Sequence, residues 1–193
     1  MADPSRIAIM GMSYGGYSAL FALGKSPGLY RCGISFAGVT DWLAMYEDSD
    51  VAESKAAKRY WREQIGDPNK DDLKAISPIN FADKITAPVL IIQGKRDARV
   101  PQDQARRMIA ALEKTGRKPQ SLFLAEVGHN YGDQKKRTEI YKAMVDFLEK
   151  ILGPGVPLVE IRWWSAASGR ALPVTPIVSA SGGRAPPNAD LCN

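Results

Sequence analysis

The chain has a single histidine among 193 residues, and that scarcity excludes a metal site built from several imidazoles. Its two cysteines, Cys32 and Cys192, are separated by 160 positions and form neither a disulfide framework nor a metal-ligand spacing. No apolar run approaches the roughly 18 residues that a membrane helix needs. The first residues, Met1-Ala2-Asp3-Pro4, show no basic stretch leading into an apolar core, so no secretory signal is expected and a cytoplasmic location is. Charge of one sign is also thin on the ground. Lys and Arg number 26 against 21 Asp and Glu, a net +5, with the densest runs only Arg106-Arg107 and Lys135-Lys136-Arg137. Nucleic-acid readers carry a denser basic stripe, so no nucleic-acid partner is expected, and no motif implies a metal or an organic cofactor. Lysine disappears altogether after Leu152, where Pro, Gly, Ala and Ser take over. The organisation expected is therefore one domain over residues 1–152 and a Pro/Gly/Ala/Ser-rich tail over 153–193.

What is present is an ordinary globular balance, 45% hydrophobic and 24% charged, arranged in an alternating pattern. Four short apolar runs, Arg6–Met10, Cys32–Ala37, Pro88–Gln93 and Ser121–Ala125, are nearly continuous, as strands are when both faces of a sheet are covered. Helical patterns separate them. One runs from Tyr14 to Lys25 and another from Gln102 to Thr115, with Ala105, Met108, Ile109 and Leu112 on one face and Gly116 as a stop. A third carries Tyr141, Met144, Val145 and Leu148 and ends at Gly153-Pro154. The long connection from Asp41 to Ala87 reads as helices over the sheet edge. Strand alternating with helix predicts an α/β fold with a parallel sheet flanked by helices. In the tail, Leu158–Trp163 alternates like a strand, with Val159, Ile161 and Trp163 on one face.

The sharpest local signal is Gly11-Met12-Ser13-Tyr14-Gly15, between an apolar strand and a helical pattern. In that setting Gly-x-Ser-x-Gly is a nucleophile elbow, a turn so tight that the serine hydroxyl stands exposed. Gly11 and Gly15 are expected to spare the turn a collision between β-carbons. The helix start behind Ser13 points unpaired N–H groups outward, so the backbone N–H of Tyr14 can face an oxyanion. A serine needs a base, and His129 is the only imidazole, in a loop after the fourth strand between Gly128 and Gly132. Asp97, just after the third strand, is the carboxylate best placed to orient it; Asp103 is the rival, and Asp97 could instead pair with Arg96 or Arg99. Ser13, Asp97, His129 is the chain order of an α/β-hydrolase. Tyr14, Trp42 and Tyr46 are candidates for an apolar substrate pocket, with plain core as the other reading.

These segments together resemble the catalytic domain of the prolyl oligopeptidase family of serine peptidases, in its acylaminoacyl-peptidase and dipeptidyl-peptidase-like branches. The stretches that carry the resemblance are Asp3-Pro4-Ser5-Arg6-Ile7 with Gly-Met-Ser-Tyr-Gly-Gly-Tyr, then Ala37–Trp42, Ser77-Pro78-Ile79, Ala87–Gly94 with Asp97 and Arg99-Val100-Pro101, and Gly128–Gly132. It runs from about Asp3 to Leu152. It implies hydrolysis of peptide or ester bonds through an acyl-serine intermediate, with Ser13, Asp97 and His129 at the positions of the family's triad. Position 93, often histidine in relatives, is Gln93 here.

Against the family pattern the sequence begins at what would be the fifth strand. The resemblance therefore implies a partial α/β-hydrolase fold, without the first strands, the loop giving a second oxyanion donor, or the β-propeller. The Ser13 strand should have an uncovered edge, inviting pairing with the tail strand or with a second copy as a homo-oligomer. Loss of one oxyanion donor costs about 100- to 1000-fold in rate, which shifts the expected activity toward small esters. Two other readings follow from the same residues: an inactive fragment that serves in assembly, and a peptidase completed by a partner chain.

Overall fold

The computed structural model describes residues 3–153, 163–165 and 170–172. The chain divides into two units, Met1–Pro154 and Gly155–Asn193. In the first, strands β1 (Ala8–Met12), β2 (Cys32–Phe36), β3 (Val89–Gly94) and β4 (Gln120–Leu124) form one sheet in the order β1-β2-β3-β4. Every pairing is parallel, with Ala8 opposite Cys32, Gly33 opposite Val89 and Leu90 opposite Gln120. The helices are α1 (Tyr14–Lys25), α2 (Trp42–Asp48), α3 (Lys55–Gln64), α4 (Gln102–Lys114) and α5 (Gln134–Leu152). No helix among the described residues is long and apolar enough to cross a membrane.

The reason the strands read as unbroken apolar runs is visible in β3. Leu90 and Ile92 join Ile34, Phe36 and Leu124 in a core closed by Ile140, Met144 and Phe147 of α5. Val89 and Ile91 alternate to the other side and pack with Leu20 and Leu23 of α1 and Ala105, Met108 and Leu112 of α4. Period-two alternation over two covered faces leaves no polar position free, except where a polar side chain finds partners. A third cluster, around Trp42, Met45, Tyr46, Leu73 and Val100, builds the wall beside the carboxyl edge of the sheet.

The expected helix from Tyr14 to Lys25 has those bounds, and α4 ends one residue before Thr115, with Gly116 just beyond at φ +77°. The stripe expected on α5 is corrected. Its buried residues are Ile140, Met144 and Phe147, whereas Tyr141 and Val145 are about half exposed. The apolar arc is wide enough to include both rows, and α5 rolls onto the one that points at Leu90 and Ile92. Among the described residues β1 pairs on one side only, and Met10 on it is 53% exposed.

In the second unit, β5 (Trp163–Ser165) and β6 (Arg170–Leu172) form an antiparallel pair, Trp163 opposite Leu172. The alternation expected over Leu158–Trp163 lies outside the described residues, apart from Trp163.

Candidate active site

Three strands deliver three side chains to one edge. β1 ends at Met12 and α1 begins at Tyr14, so Ser13 alone makes the turn, with φ 56° and ψ −120°. That conformation is rare for a residue with a β-carbon and is held by its surroundings. The Ser13 N–H donates to the Phe36 carbonyl at 2.8 Å, and the Ser13 carbonyl accepts from Tyr17 N–H at 3.0 Å. A β-carbon on Gly11 would lie 2.4 Å from the Gly15 carbonyl carbon, so strand and helix touch there backbone to backbone. The expectation for Gly15 is corrected, since a β-carbon on it would meet nothing within 4 Å. The second close approach is at Gly16, where a β-carbon would come within 2.9 Å of Gly38.

Ser13 Oγ lies 2.8 Å from His129 Nε2, and His129 Nδ1 lies 2.8 Å from Asp97 Oδ2. The carboxylate can only accept, so the Nδ1–H donates to it and Nε2 is left to accept the Ser13 hydroxyl proton. Asp97 is buried, and its Oδ1 accepts from Val100 N–H at 2.8 Å. Neither neighbouring arginine competes for it: Arg96 pairs with Glu126, and Arg99 Nε with Asp50 at 3.2 Å. Asp103 points away in the first turn of α4, beside Arg106. The loops carrying Asp97 and His129 are in direct contact, because a β-carbon on Gly94 would fall 2.4 Å from the Val127 carbonyl oxygen. Tyr14 opens α1 directly after Ser13, so its N–H has no intrahelical acceptor.

A cavity of about 390 Å³ opens beside Ser13. Tyr14, Val39, Trp42, Met45 and Val100 line its near side, while Tyr60, Trp61, Gln64 and Ile65 come from α3 and the residue after it. Of the three pocket candidates, Tyr14 and Trp42 are therefore in the wall. Tyr46 is not; it stands behind Trp61 with ring centroids 5.6 Å apart, and its hydroxyl donates to the Gly66 carbonyl at 2.7 Å. Burial pushes the Tyr46 and Tyr17 hydroxyls up from their usual range.

Two buried glutamines escaped the sequence reading as site residues. Gln104 Oε1 accepts from the N–H groups of Thr40 and Asp41 at 2.9 and 2.8 Å, which ties α4 to the loop that carries Val39 and Trp42. Gln93, on β3, faces Asp97. A polar residue inside an otherwise apolar parallel strand was the available signal.

Comparison with known proteins identifies the family and the fold. The model of the prolyl oligopeptidase family matches residues 1–155. Dipeptidyl peptidase family member 6 of Caenorhabditis elegans is 30% identical over 165 residues, covering 79% of this chain and 21% of that protein. Dipeptidyl aminopeptidase BIII of Pseudoxanthomonas mexicana is 28% identical, covering 77% and 22%. Among solved structures, the acylaminoacyl peptidase of Pyrococcus horikoshii superposes with a TM-score of 0.73 at 32% identity, over 80% of this chain and 25% of that one. A puromycin-hydrolysing peptidase of Mycobacterium tuberculosis gives 0.73 at 28%, over 80% and 23%. The chain thus spans about a fifth of the length of the curated relatives it matches. With the family model matching from the first residue through the end of α5 and an α/β-hydrolase sheet beneath it, the chain belongs to the prolyl oligopeptidase family.

Proposed function

We propose that the chain carries the nucleophile, base and orienting acid of a serine hydrolase acting on peptide bonds or small esters. Ser13 Oγ attacks the substrate carbonyl as His129 Nε2 takes its proton. The imidazolium is stabilised by Asp97 and returns the proton to the leaving group. The Tyr14 N–H receives the oxyanion, and water then releases the acyl group from Ser13. The observation that carries this reading is the unbroken relay, with both its contacts at 2.8 Å, at a serine on a strained turn. Names of relatives such as dipeptidyl peptidase and acylaminoacyl peptidase favour peptide substrates, and the cavity beside Ser13, whose largely aromatic and aliphatic wall also holds Gln64 and Arg99, gives room for a side chain. With one backbone donor assigned to the oxyanion, esters should turn over faster than amides.

The test is covalent labelling with a fluorophosphonate, together with turnover of a p-nitrophenyl ester and of the matching p-nitroanilide. Labelling and ester turnover should both vanish in Ser13→Ala. Equal labelling of that variant and the parent would remove Ser13 as the nucleophile.

A further inference from the structure

Gln93 is 1% exposed near the end of β3, between the apolar Ile92 and the Asp97 turn. An amide in such a place costs stability unless its polar atoms are engaged. Its Nε2 faces three acceptors: the Val100 carbonyl at 3.0 Å, the Gly94 carbonyl at 3.1 Å and Asp97 Oδ2 at 3.4 Å. Turning the amide round would set Oε1 against the same three acceptors, so the orientation is fixed by its surroundings. Oε1 has no hydrogen-bond partner among the described residues, which leaves the donor side as the one that is used. The two carbonyls belong to the two ends of the turn 94–100, and the carboxylate lies between them. One side chain therefore closes the turn and touches the group the turn presents. Val100 N–H on Oδ1 and Gln93 on Oδ2 hold the carboxylate from two directions, and the His129 ring completes the set.

We propose that Gln93 is a positioning residue for the relay, its neutral amide pinning the Asp97 carboxylate toward His129 Nδ1 and holding the 94–100 turn closed. The inference rests on the serine-hydrolase reading above. A neutral donor suits this task. It restrains Asp97 without adding a cation that would compete with the imidazolium for the carboxylate. The long contact to Oδ2 makes its effect geometric: the carboxylate is kept in line, while the strong hydrogen bond is left to the imidazole.

Gln93→Met keeps the length and removes the donor. The expected result is a fall in kcat of about 10- to 100-fold, larger than the change in KM that comes from releasing Val100 in the cavity wall. His129 is the only histidine, so the downfield proton resonance of its Nδ1–H has one possible assignment. That resonance should move or broaden in Gln93→Met and stay in place in Gln104→Met, which also loses a buried amide but one bonded to Thr40 and Asp41 and not to Asp97. In the parent, the Gln93 side-chain protons should exchange slowly and show a cross-peak to the His129 Nδ1 proton. That measurement stands even if Gln93→Met fails to fold. An unmoved resonance with unchanged kcat, a rise in KM alone, or absence of the cross-peak would each overturn the proposal. If the parent lacks Ser13-dependent labelling, the hydrolase reading fails instead, and the resonance still decides whether Gln93 positions the Asp97–His129 pair.

Discussion

Asp97 can only accept and has no exposed surface on its side chain, so the His129 ring can meet it with one arrangement of protons. Asp97→Asn would present an amide to Nδ1, leave the ring proton on Nε2 and remove the acceptor that Ser13 needs. Turnover of the p-nitrophenyl ester should then fall by about 10⁴-fold while the protein stays folded, as judged by its unfolding midpoint. The meeting of Ser13, Asp97 and His129 at one edge was legible in the sequence, because each follows an apolar run. Tyr46, open in sequence between cavity wall and core, stands in the core, because an aromatic side chain looks the same in sequence whether it lines a cavity or backs the residue that does. Gln93 stood out in sequence only as a polar break in an apolar strand, and Gln104 not at all. Their roles come from backbone groups gathered by the turns around them, carbonyls for Gln93 and chiefly N–H donors for Gln104, and no spacing in the chain encodes that gathering.

At the scale of elements, burial decides which row of a helix faces the sheet. Phe147 is 3% exposed and packs under β2 and β3, whereas Val145 is 50% exposed. Phe147→Ala should cost about 3–5 kcal/mol in urea unfolding. Val145→Ala should stay within about 0.5 kcal/mol. Equal effects would mean that α5 presents the row containing Val145. The spacing of apolar residues located α1, α4 and α5 well, because a helix covering a sheet needs a stripe and its sequence must repeat it. The stripe on α5 is broad, with Tyr141 and Val145 beside Ile140 and Met144, and only contact with Leu90 and Ile92 chooses between the rows. The 41–87 connection was legible as helical cover but not in detail. Its helix α3 has no fully buried residue and is placed largely by Trp61, edge-on to Trp42 at 5.8 Å and to Tyr46.

For the molecule as a whole, the buried tyrosines set a limit on alkaline stability. Burial raises Tyr17, Tyr46 and Tyr131 above their usual range, so the folded state keeps protons that the unfolded chain gives up. Their contribution is complete below about pH 10, where an unfolded tyrosine begins to ionise, and is lost as pH rises through the folded values. Urea midpoints should decline above about pH 9, where the buried Cys32 thiol, also raised by burial, adds to the tyrosines, and should decline less steeply above about pH 10 in Tyr17→Phe. The parallel sheet was legible as a whole because its strands follow one another in space as they do in sequence. That same order has a consequence for biosynthesis. The Ser13 turn leaves the ribosome first, and the imidazole that it meets follows 116 residues later, in the loop after β4. Until β4 docks against β3, Ser13 of a nascent chain sits apart from His129 and the relay between them is unmade.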